Sequence, residues 1–114
     1  MDDLEDVGNV IAERELDTSD GRTVKVLIGQ PQPFPEGSSY YCPIQITGIG
    51  KDMVMRAGGV DSVQALLLAL KMIGARLYTS DEGRAGTLTW LERRNLGFPV
   101  VPFLQDLVPE DGEY

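Results

Sequence analysis

The sequence predicts an α+β fold: an antiparallel meander of four to five strands with one long helix packed on one face. Three observations carry this expectation. The first half contains short runs in which apolar residues alternate with polar ones. A glycine-bearing turn joins the first two runs. After residue 60 the apolar spacing changes from two to three and four, behind an acidic capping residue.

Val10, Ala12 and Leu16 fall on one side of the first run and Glu13 and Glu15 on the other, as in a half-covered strand. Val24, Val26 and Ile28 repeat the pattern. Ser19-Asp20-Gly21 suits a three-residue hairpin loop with Gly21 in the left-handed region, a register that sets Leu16 against Val24 and Glu15 against Lys25. Arg14 then lies on the inward side, where its stem is expected to pack and its head to reach water.

Alternate prolines in Gln30–Pro35 favour a stiff, extended connection pinned by Phe34. Tyr40 to Ile49 reads as a third strand with Cys42, Ile44 and Ile46 inward; Pro43 points to an edge or a bulge. Gly48-Ile49-Gly50-Lys51-Asp52 makes a turn into a fourth strand, Met53 to Ala57, which ends at Gly58-Gly59.

Asp61 is a natural N-cap, and Gln64 can close a capping box. Val63, Leu66, Leu70, Ile73 and Leu77 then form an apolar stripe expected to cover the sheet. Leu67, Leu68 and Met72 fall outside it, so a second helix face needs its own cover. Gly74 inside the helix implies a close approach of another backbone. A turn follows at Thr79–Gly83. Residues 87–91 fit either a fifth strand, the preferred reading, or a short helix capped by Thr89 and Glu92. Gly97–Phe103 is apolar and proline-rich, suited to an extended cover that hides Leu67 and Leu68.

The 114 residues and 42% hydrophobic content suffice for one domain, expected at residues 10–103. A disordered acidic tail is expected at 1–9 and another acidic tail at 104–114. The net charge of −8 sits in these ends. Asp2, Asp3, Glu5, Asp6, Asp106, Glu110, Asp111 and Glu113 account for eight of the 18 acids, leaving ten against ten basic residues in the body. With Arg93-Arg94 as the one basic cluster, nucleic acid is not an expected partner. The acidic start is no signal peptide, the apolar run Ala65–Leu70 is too short for a bilayer, and the single cysteine suits a reducing compartment. The expected location is therefore cytoplasmic.

Histidine is absent, which removes the commonest general base, the usual nucleophile systems and most zinc sites. One cysteine holds no zinc or iron–sulfur centre. Glu13 and Glu15 read as a solvated face, not as a catalytic pair. Thr47–Asp52 fails as a phosphate loop, because Gln45 stands where a glycine is needed and Asp52 where a Ser or Thr is needed. No catalytic residue, metal site or cofactor is expected.

The run Gly59-Val60-Asp61-Ser62-Val63-Gln64-Ala65-Leu66-Leu67-Leu68-Ala69-Leu70, with Ile73-Gly74, Leu77-Tyr78-Thr79-Ser80 and Leu96-Gly97-Phe98-Pro99, resembles a family of short, uncharacterised bacterial proteins. Ile11–Leu16 and Cys42-Pro43 fit its opening strands, so the resemblance spans most of residues 10–101. It implies a stand-alone bacterial domain and supplies no catalytic residues.

Two functional expectations follow. The first is a non-enzymatic interaction domain, a homodimer or the partner of another protein such as an immunity-type protein. Its surface would be Leu67, Leu68 and Lys71 with the aromatics Tyr78 and Trp90, unless the two aromatics merely complete the core. The second is a small-molecule domain or minor enzyme with a pocket between helix and sheet, lined by Arg14, Arg56 and Tyr78.

Overall fold

The computed structural model describes residues 6–111. Six antiparallel strands, β1 (Val10–Thr18), β2 (Thr23–Gly29), β3 (Gln32–Pro33), β4 (Tyr40–Thr47), β5 (Met53–Gly59) and β6 (Leu88–Thr89), form one sheet. Its four long strands run β5-β4-β2-β1 in space, and β6 adds beyond β1. The helix α1 (Ser62–Thr79) packs on one face; α2 (Asp81–Ala85) and a 3-10 helix (Pro102–Leu107) follow. The strand count is thus slightly above the expected one, the addition being the short β3, while β6 falls within the expected fifth strand.

The first hairpin has the expected register, with Leu16 opposite Val24 and Glu15 opposite Lys25, and Gly21 at φ 88° in its loop. Leu16, Val24, Val26, Cys42, Ile44 and Ile46 line the buried side. Val10 and Ala12, expected on that side, are exposed; a bulge between them breaks the alternation, with Val10 opposite Gly29 and Ala12 opposite Ile28.

Pro43 does not mark an edge. β5 pairs with β4 from Tyr40 to Ile46, while β2 and β3 share the other side of β4, β2 up to Ile44 and β3 from Tyr41. Pro43 sits between those two partners, where the ladder is interrupted and a missing N–H costs least.

Asp61 caps α1 by accepting from the Gln64 N–H at 2.8 Å, and Gln64 Oε1 accepts from the Val60 N–H at 2.7 Å. The box closes one residue earlier than in the usual arrangement. The inward face of α1 is rotated from the expected stripe: Ala65, Ala69, Ile73 and Leu77 are fully buried, Leu66 and Leu70 half-buried, and Val63 is 63% exposed. Small side chains explain the rotation. At Gly59 the end of β5 runs so close to the Ala65 backbone that a Cβ there would collide with it, an approach that bulky residues at 65 and 69 would prevent.

The other half of the sheet face is covered from the C-terminal side, where Leu88, Leu96 and Phe98 join Leu16, Val24 and Val26 in the same core. The extended segment after Gly97 crosses α1 at Gly74, where the Pro99 carbonyl occupies the place of a side chain. It leaves Leu67 and Leu68 exposed, so the expected cover is absent there. The predicted turn at Thr79–Gly83 contains α2, capped by Ser80 Oγ accepting from the Gly83 N–H. Residues 88–89 are strand, and Trp90 pairs with Arg93 across a two-residue turn, so no helix starts at Thr89.

Residues 104–111 are ordered against the body. Leu107 and Val108 pack on the core, and the Asp111 carboxylate accepts from the Arg94 and Asn95 N–H groups at 2.6 and 2.7 Å. These bonds hold its carboxyl below the usual range. Val7 is buried as well, while Asp2, Asp3, Glu5 and Glu113 lie outside the described residues.

Candidate interaction surface

β5 pairs only with β4, so its other edge carries main-chain groups without a strand partner among the described residues. α1 runs beside this edge because the loop at Gly59–Asp61 turns the chain straight back over β5. Arg56, Ala57 and Gly58 form one wall of an open groove of about 450 Å3; Leu68, Met72 and Ala75 form the other, with Lys71 at its rim and Val101 at its end. The lining is largely apolar. Leu68 is 39% exposed; Leu67, next to it on α1, and Val60, just before the helix, are 51% and 77% exposed. Among the described residues neither Arg56 nor Lys71 forms an ion pair.

The Arg56 guanidinium carbon lies 5.4 Å from the Phe34 ring centre and 5.5 Å from that of Tyr41, two rings that pack 5.1 Å apart. Such stacking fixes the arginine stem without neutralising its charge. Phe34 thus pins the proline-rich connection and also steadies one wall of the groove.

The residues proposed from sequence divide between three places. Leu67, Leu68 and Lys71 stay together on the exposed side of α1. Tyr78 is 2% exposed; its hydroxyl accepts from the Leu96 N–H at 2.8 Å and donates to Asn95 Oδ1 at 3.4 Å, so it completes the core. Trp90 packs against that core beneath Arg14 and belongs to the covered half of the sheet, away from Leu67. Burial pushes the Tyr78 hydroxyl above its ordinary value.

The trio Arg14, Arg56 and Tyr78 does not form one pocket. The Arg14 head stays partly exposed while it stacks 3.6 Å over Trp90 and 4.9 Å from Phe98, with Nη1 donating to the Leu96 and Gly97 carbonyls. Loss of solvent holds its pKa below the usual guanidinium value. The sequence reading missed this because the stacking partners lie some eighty residues away along the chain. A pocket between helix and sheet does exist, of about 330 Å3, at the other end of α1; Ile46, Ile49 and Met55 contribute to its lining, with Lys51, Arg76, Asp81 and Glu82 as charged members.

Sequence reasoning also missed Gly58, Met72, Ala75 and Val101 as groove residues. A usable signal was present in Gly59, Ala65 and Ala69, whose small size brings α1 against β5. Among the described residues no group of three or more His, Cys, Asp or Glu is placed to hold a metal ion. Among these residues no helix is long and apolar enough to cross a membrane.

No curated protein and no solved structure matches the chain. A family model matches residues 12–100, and with that match covering most of its length the chain belongs to the family described as a domain of unknown function, DUF6968.

Proposed function

We propose that this domain is a non-enzymatic protein-interaction module that holds its partner on the exposed side of α1. The observation that carries the reading is the apolar groove between α1 and the open edge of β5, with Leu67 exposed next to Leu68 on α1. An apolar surface bordered by an unpaired strand edge costs solubility and invites association unless a partner uses it. The partner is a second protein or another copy of the chain, in a bacterial cytoplasm, where an immunity-type role fits a small domain with no histidine.

Capture of bound proteins by the tagged domain and its Leu68→Glu variant tests this. The variant is expected to keep its circular dichroism spectrum, since Leu68 is outside the core cluster, and to lose the partner. Retention of every captured protein by a folded variant would refute the reading. The second reading, a small-molecule domain, draws on the pocket at Ile46, Ile49 and Met55 with Lys51 and Arg76 beside it. It predicts that an anionic metabolite at about 100 times its dissociation constant adds about 2.7 kcal/mol of stability in a thermal-shift screen.

A further inference from the structure

We infer that the partner presents an extended segment that adds as a strand to the free edge of β5, inserts an apolar side chain into the groove beside Leu68, Met72 and Ala75, and carries acidic residues on either flank. This rests on the interaction reading and specifies its mode and the chemistry of the bound segment.

The argument begins with the main chain. An added strand satisfies backbone donors and acceptors along its whole length, and its side chains alternate between the two faces of the sheet. At β5 one face is roofed by α1, so every second side chain of the added strand would enter the space between Ala57 and the Leu68, Met72 and Ala75 row. A helix laid on the same spot would leave the strand edge unpaired. A groove bounded by a strand edge on one side and a helix on the other thus selects an extended occupant with apolar residues at every second position.

Charge decides between occupants. Lys71 stands on the α1 side of the β5 edge and the Arg56 head on the opposite face, over Phe34 and Tyr41, and neither has an acidic partner among the described residues. A second copy pairing edge to edge about a two-fold axis near Arg56 would bring the two Arg56 side chains against each other, an arrangement that repels. Positive side chains at an edge are a known device against self-pairing. They do not deter, and instead steer, a segment with aspartate or glutamate beside its apolar residue. The occupant is therefore a foreign acidic–apolar strand and not a copy of the chain.

The probe is a display library of random heptapeptides selected on the full chain, followed by binding titrations of the enriched peptides. Expected are sequences with β-branched residues at alternate positions flanked by Asp or Glu. Their affinity should fall about tenfold on N-methylation of edge-facing amides, since losing about 1.4 kcal/mol of hydrogen bonding is tenfold. Lys71→Glu should weaken them similarly, and Lys25→Glu, on β2 away from the groove, should leave them unchanged. Hydrogen exchange should slow at alternate β5 amides in the complex.

No enrichment over an empty support overturns the inference, as do peptides indifferent to both N-methylation and Lys71→Glu. Enriched helical peptides with anchors three and four apart, lost in Leu67→Glu, would overturn strand addition while leaving the interaction reading intact. A dimer in sedimentation equilibrium that Lys71→Glu tightens would identify a second copy as the occupant and overturn it too. Loss of the captured cellular partner in Leu68→Glu, tested separately, reports on the interaction reading alone.

Discussion

Cys42 lies in the middle of β4 with no exposed surface, its thiol 3.4 Å from the Gly29 carbonyl. Burial pushes its pKa from 9.0 up to about 11, because a thiolate there has lost its water. Between those two values the unfolded chain has released a proton that the folded chain still holds, so stability falls as pH rises through this window. The native thiol should thus resist a disulfide reagent at pH 8 and react fully in denaturant, and Cys42→Ala should show a flatter stability curve between about pH 9 and pH 11. Equal reactivity of native and denatured protein would place the thiol at the surface. The burial of Cys42 was legible from its place in an alternating strand. The stacking of the Arg14 head was not, because alternation says which way a side chain points but not what the far end of the chain lays beside it. Trp90, Leu96 and Phe98 make a polar-looking inward position tolerable by stacking and carbonyl contacts that only the folded chain brings together.

Elements read from local signals agree with the structure wherever the signal and the packing are both local. The Ser19–Gly21 loop fixes the register of β1 and β2 by its own geometry, and Asp61 starts α1 through a side-chain bond to the next turn. The inward stripe of α1 depends on how closely the helix lies on β5, and bulk hydrophobicity at Val63 or Leu66 misses the tighter fit at Ala65 and Ala69. The same proximity argument, applied to Gly74, succeeded: the cover does pass there at Pro99. Gly74→Ala is a sharp test at this scale. Helix propensity alone favours the alanine by about 1 kcal/mol. The added methyl group would meet the Pro99 carbonyl, a backbone atom that cannot swing aside, and overpacking of this kind costs about 1–3 kcal/mol. The net expectation is a destabilised protein whose midpoint falls by about 5 °C. A rise in melting temperature would mean that the cover does not hold the helix in solution.

Across the whole molecule, one sheet face is buried by two unlike elements, α1 over β4 and β5, and the C-terminal segment beside β1 and β6. Neither can be removed without exposing half of a shared core. Leu96 and Phe98 each contribute about 2 kcal/mol by leaving water. The Leu96 N–H also satisfies the buried Tyr78 hydroxyl, and Asp111 ties the last described residue back to Arg94 and Asn95. A chain ending at Asn95 should therefore lose about 4–5 kcal/mol from these terms, against a total stability of about 5–15 kcal/mol for a domain. Its near-ultraviolet dichroism should weaken and its thermal transition broaden, while a chain ending at Glu110, which among the described residues forfeits the Asp111 contacts alone, keeps a cooperative transition at a slightly lower midpoint. If the shorter chain instead unfolds as sharply as the complete one, α1 alone suffices to bury the sheet, and the C-terminal segment is free to exchange places with a partner. The separation of roles between a covered half at β1 and an open edge at β5 would then have to be abandoned, because both sides of the sheet would offer a docking surface.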